Sequence, residues 1–178
     1  MAGTLPVMRM PHTIALLLVI AVACGGDPDA GPRADDYVTR LERTSQTAHI
    51  QERGLRRDLR MRLKNIPTGE DRMSVVTVYV DQGARLYEDV VDALGQLDPP
   101  PDLAAAQQAY RDAWQGQLDL FVAVRDAGFA ASWKILKELQ RPAFRDAAAE
   151  TKTRCEDLEA AVDATGSEVD LACGGSPS

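Results

Sequence analysis

Aromatic residues make up only 5% of the chain, histidine occurs twice and cysteine three times. Each scarcity excludes something. Sheets draw on aromatic and β-branched residues, whereas Ala, Leu, Asp and Arg are the commonest residues here, and Ala, Leu and Arg favour helix. His49 is the one histidine beyond the N-terminal segment. Metal sites in helical bundles use Glu-x-x-His pairs, but Gln46 stands three residues before His49, and no His or Cys cluster has zinc spacing. No metal and no other cofactor is expected. Positive charge is in deficit, with 20 Lys and Arg against 27 Asp and Glu. A general nucleic-acid binder needs the reverse, so nucleic acid is excluded as a partner. The apolar run Thr13–Ala23 is shorter than the roughly 20 residues that span a bilayer.

That short run follows Met1–His12, which carries one arginine and no acid, and Cys24 comes directly after it. A weakly basic start, a short apolar core and small residues before a cut are the parts of a secretory signal. The residues Ala21-Val22-Ala23-Cys24 resemble the lipobox of bacterial lipoproteins. The resemblance implies a signal peptide over 1–23, cut before Cys24, whose thiol carries diacylglycerol and holds the chain to an extracytoplasmic membrane face. Ala21-Val22-Ala23 is also an Ala-x-Ala site for ordinary signal cleavage, and a secreted soluble protein is the alternative. Residues 24–33, rich in Gly and Pro, read as a tether with a reach of about 15–20 Å.

Export makes disulfides available. Pairing Cys155 with Cys173 would leave Cys24 as a stray thiol, which acylation removes. The pair is within reach. A helix climbs about 15 Å from Cys155 to Thr165, and extended chain from Ser167 to Cys173 can retrace it.

Residues 34–173 read as one domain with four helical segments. From Ala34 to Ile66, apolar or small residues recur at Tyr37, Leu41, Thr44, Ala48, Leu55, Leu59 and Leu63, one face of a helix. Asp35 and Asp36 sit in its expected first turn, and Pro67 ends it. Thr68 with Asp71 is a candidate cap for a second helix running to about Leu97. The β-branched stretch Val75–Val80 resembles a strand, but the chain offers it no strong partner, so helix is expected. Pro101 suits the first position of a third helix, with Leu103, Tyr110, Trp114, Leu118 and Phe121 on its buried face and Gly128 at its end. The fourth helical region runs from about Phe129 to Thr165, kinked or broken at Pro142, with Gly166 as its C-cap. The fold class expected is all-α: an antiparallel four-helix bundle, its C-terminal tail tied back by the disulfide, with residues 174–178 disordered.

Few constellations carry chemistry. Ser45, His49 and Glu52 share a helical stripe, but no Gly-x-Ser-x-Gly turn exists and the stripe reads as a polar helix edge. Glu156, Asp157, Glu159 and Asp163 lack the alternating pattern of a calcium loop and read as a solvated face. Tyr110, Trp114 and Phe121 at helical spacing read as core. The most unusual feature is the cationic run Arg53, Arg56, Arg57, Arg60, Arg62 and Lys64. Arg53, Arg57, Arg60 and Lys64 share one stripe. Arg53, Arg56, Arg57, Arg60 and Lys64 are the candidate partner-binding residues, the partner being a protein or an envelope polyanion. Arg57 lies about 35 Å along the helix from Ala34, so in an upright bundle the patch points away from the anchoring membrane. Charge is divided accordingly, with eight basic and five acidic residues over 34–66, and ten and twenty from Pro67 onward.

The lipobox, tether, helical domain and C-terminal cysteine pair are together similar to small helical lipoproteins of high-GC bacteria. The function expected is a membrane-anchored, non-enzymatic interaction or binding module, the alternative being a small-ligand-binding or sensory domain. A cavity lined by Tyr110, Trp114 and polar groups would favour that alternative.

Overall fold

The computed structural model describes residues 30–66, 70–127 and 142–173. Within them the chain forms four helices, α1 (Ala30–Asn65), α2 (Glu70–Gly95), α3 (Ala104–Asp126) and α4 (Pro142–Asp163), with no strand among the described residues. The signal segment, Cys24, Pro67, Thr68, Gly128, the expected helical stretch before Pro142 and residues 174–178 lie outside the described residues.

Neighbouring helices run antiparallel. The Arg72 guanidinium, early in α2, donates to the Leu63 carbonyl late in α1. Gln107, early in α3, donates to the Leu94 carbonyl late in α2 at 2.7 Å. Phe121 of α3 meets Phe144 of α4 edge to face at 5.5 Å. The result is an up-down-up-down bundle in which α1 packs on α2, α2 on α3 and α3 on α4.

Several boundaries differ from the sequence reading. α1 begins at Ala30, so Ala30–Arg33 belong to the helix rather than to the tether. Pro32 falls within the first turn, where a missing N–H breaks no intrahelical bond. Asp35 and Asp36 therefore lie past the first turn, which holds no acid. α3 starts at Ala104, three residues after Pro101. Pro100–Leu103 forms a turn whose Pro100 carbonyl accepts from the Leu103 and Ala104 amides. Val75–Val80, by contrast, is helical as expected, its Val76 and Val80 buried in the bundle. α4 starts at Pro142, where the sequence places a break, and ends before Gly166 at φ +88°.

The scarce aromatics are concentrated at the centre. Trp114 is fully buried, with Tyr87 and Tyr110 at ring separations of 5.4 and 6.1 Å. Phe121 extends the cluster towards Tyr79 and Phe144. Gly83 permits this: a Cβ there would overlap the Phe121 ring, so α2 and α3 approach closely only because the side chain is missing.

α1 and α4 are joined differently. After α4 the chain turns back, and residues 167–173 run between the two helices. Leu171 is fully buried, Ser45 and Gln46 of α1 donate to the Leu171 and Asp170 carbonyls, and Cys173 is disulfide-bonded to Cys155 of α4. The expected cystine is present, with Cα atoms 5.5 Å apart.

Candidate functional site

α1 buries a polar ridge. Starting from Leu41, the positions Ser45, His49, Glu52 and Arg56 follow at steps of four, four, three and four, so they continue an apolar stripe into the seam with α4. Ser45 and His49 are buried, at 1% and 8% exposure. The reading of this stripe as a solvent-facing edge is therefore corrected: Ser45 and His49 are buried and Glu52 is half-buried, and the stripe reaches solvent only at Arg56.

The ridge is a connected network. Ser45 Oγ donates to the Leu171 carbonyl at 2.7 Å and lies 2.9 Å from the Tyr110 hydroxyl. The single Ser45 proton goes to Leu171, so Tyr110 donates to Ser45, and the Tyr110 oxygen also lies 3.3 Å from His49 Nε2. His49 Nδ1 lies 3.7 Å from Glu52, and the imidazole packs at 5.4 Å on Trp114. Tyr87 donates to Glu52 at 3.0 Å, and Arg56 bonds the same carboxylate. Burial pushes the Tyr110 phenol up to about 12, with the Ser45 hydrogen bond opposing. Burial also works to raise the Glu52 carboxyl, but hydrogen bonds from His49 and Tyr87 and the Arg56 charge outweigh it and hold the group below its ordinary value. Burial disfavours the Arg56 charge, yet Glu52 keeps its pKa above the usual one. Ser45 and His49 do not touch as nucleophile and base. Tyr110 stands between them, and the Ser45 hydroxyl faces a carbonyl in a closed interior.

Beyond His49 the seam opens into a cleft of about 220 Å³. α1 lines it with His49, Glu52, Arg53 and Arg56, α3 with Gln117, α4 with Ala148, Thr151 and Lys152, and the tail with Cys173. Gln117 donates to the Thr151 hydroxyl at 2.8 Å, and that hydroxyl lies within reach of the Ala113 and Ala147 carbonyls.

The candidate cations divide between two surfaces. Arg53 and Arg56 line the cleft, while Arg57, Arg60 and Lys64 are exposed and form no ion pair among the described residues. Arg62 pairs with Asp58 at 2.8 Å. Tyr110, Trp114 and Phe121 are buried core, and Tyr110 and Trp114 do not line the cleft. Glu156, Asp157 and Asp163 are exposed and Glu159 half-buried, and no group of three or more His, Cys, Asp or Glu among the described residues is placed to hold a metal ion. Nor is any described helix long and apolar enough to cross a membrane. Sequence reasoning missed Gln117, Lys152 and the cleft itself. The available signal was the register of Ser45, His49 and Glu52 with Leu41.

No protein-family model matches this chain, and no curated protein and no solved structure matches it either.

Proposed function

We propose that this chain is an extracytoplasmic lipoprotein, anchored through Cys24, whose helical domain is a non-enzymatic binding module. The observation that carries the reading is the α1–α4 seam. Among the described residues the core elsewhere is mainly Leu, Val, Ala and aromatic side chains, whereas this seam holds a polar cleft with three cations and one carboxylate on its walls. A cystine fastening the wall of that cleft suits an oxidising compartment. Export through the signal at 1–23 and retention by a lipid on Cys24 supply both the compartment and the membrane.

The test of the address is intact mass and detergent partitioning of native protein beside Cys24→Ser. A lipoprotein begins at a diacylglycerol-modified Cys24 and enters the detergent phase, and the variant does not. A native protein that stays aqueous with an unmodified thiol refutes the anchor.

A second reading, docking of an acidic macromolecule, is favoured by the outer face of α1. There Arg57, Arg60 and Lys64 stand beside Ile50 and Met61, which are 61% and 53% exposed. Mixed apolar and cationic surface of this kind suits a protein partner better than a purely electrostatic one.

A further inference from the structure

One cation on the cleft wall forms no ion pair among the described residues. Arg53 lines the cleft, and its Nη1 is buried with no hydrogen-bond partner. The other cations are engaged: Arg56 bonds Glu52, and Lys152 lies 3.3 Å from Glu156. Glu52, the one carboxylate on the wall, is held by Arg56, Tyr87 and His49. A guanidinium without a carboxylate partner keeps a free charge on the wall, and its planar fork of donors matches the paired oxygens of a carboxylate or phosphate.

We propose that the cleft binds a small solute through an oxyanion group, with the Arg53 guanidinium as its principal contact and Lys152 at the rim. This rests on reading the domain as a binding module. The size of the site limits the ligand. Pockets for drug-sized molecules begin at roughly 300 Å³, and this one is about 220 Å³, which suits inorganic phosphate or a short dicarboxylate. Its charge is also right, because Arg53, Arg56 and Lys152 outnumber Glu52. Two other depressions do not compete. The groove between α1 and α2 at Leu59 and Tyr79 has about 10 Å³, room for a water. The dish between α3 and α4 is larger, about 400 Å³, but carries Asp112 and Glu150 against one arginine, Arg154, that Glu150 already holds.

The test is calorimetric titration of the mature lipidated protein in detergent micelles, at constant ionic strength, with inorganic phosphate and separately with succinate. Saturable binding of either at one site per chain is expected, and the arm that saturates identifies the oxyanion. Arg53→Gln should weaken it by about tenfold or more, the worth of a charge-assisted hydrogen bond. Arg53→Lys should recover part of that loss. Lys152→Gln, at the exposed rim, should weaken binding by less and leaves the fold undisturbed should Arg53→Gln lower the melting temperature. Arg60→Gln, on the outer face of α1, should change nothing. Absence of saturable binding in both arms, or equal affinity in wild type, Arg53→Gln and Lys152→Gln, overturns the proposal. Capture of a membrane partner by a protein that binds neither anion would sink the cleft proposal and leave the binding-module reading standing.

Discussion

Ser45 on α1 donates a hydrogen bond of 2.7 Å to the carbonyl of Leu171, 126 residues further along the chain. Without that bond a buried backbone carbonyl of the returning tail would have lost water and gained nothing. Tyr110, which donates to Ser45, would lose its acceptor as well. Ser45→Ala should therefore lower stability by about 1–3 kcal/mol, the penalty for leaving buried polar groups unpaired. The measurement is a denaturant midpoint, with hydrogen exchange of residues 167–173 as its local readout. Unchanged exchange in the tail would show that Ser45 does not hold it.

The cystine holds the same tail from the other side. Cys155 and Cys173 are 18 apart in sequence, and closing a loop of that size stabilises by about 3 kcal/mol on the chain-entropy argument. Replacing both by Ser should lower stability by about that amount. Combined with Ser45→Ala, the losses should fall short of additive, because a tail released by one change has less to lose from the other. Strict additivity would mean that the two attachments work independently.

The fold was largely legible in the sequence because it is written in period. Tyr37, Leu41 and Ala48 on α1, Val76, Val80 and Tyr87 on α2, and Tyr110, Trp114 and Phe121 on α3 are buried as their spacing requires. Val75–Val80 shows the limit of propensity: β-branched residues form helix here because Val76 and Val80 have a bundle to enter and no strand offers itself nearby. The candidate site was much less legible. Ser45 and His49 are polar, so residue type pointed outward while register pointed inward, and only the returning tail decides between them. Arg53 and Arg57 are chemically alike and four residues apart, yet one lines the cleft and the other faces solvent. That division depends on where α4 lies, which no local pattern in α1 records.

Gly83 is the point at which α2 and α3 depend on a missing atom. A Cβ at this position would overlap the Phe121 ring, which is itself buried and packed against Tyr79, Tyr87 and Phe144. Helix propensity favours alanine over glycine by about 1 kcal/mol. Overpacking acts the other way, by about 1–3 kcal/mol. Packing should win, so Gly83→Ala is expected to lower the melting temperature. Gly116, whose added Cβ meets nothing within 4 Å, is the control, and Gly116→Ala should raise it.

Glu52 should make the bundle sensitive to acid. Its carboxyl is held below the ordinary value in the folded chain. The stability it contributes is therefore fully present above the unfolded value, about 4.3, and is lost as pH falls through the folded one. Glu52→Gln should lower stability near neutral pH by about 1–2 kcal/mol, since Arg56 and His49 lose a charged acceptor, one of them half exposed. It should also flatten the decline in stability below about pH 4.5. Parallel acid limbs for wild type and variant, followed by circular dichroism, would remove Glu52 from the account.

The outer face of α1 separates docking from plain solvation. Arg57, Arg60 and Lys64 form no ion pair among the described residues, so solvation alone predicts that reversing them affects stability little. The variant must respect the helix. Arg57→Glu and Arg60→Glu place two acids three residues apart, a repulsion of a few tenths of a kcal/mol. Lys64 is in the last turn, where the helix dipole favours a cation, so Lys64→Gln removes its charge without adding an acid there. The triple variant should lose no more than about 1 kcal/mol and keep its oxyanion affinity, because Arg53 and Lys152 are untouched. If α1 docks an acidic partner, capture from membranes should fall sharply, and wild-type capture should weaken as salt is raised because exposed charges are screened over about 8–10 Å. Capture that is unchanged in the variant and indifferent to salt would leave Arg57, Arg60 and Lys64 as solvated surface and the α1–α4 cleft as the binding element of the domain.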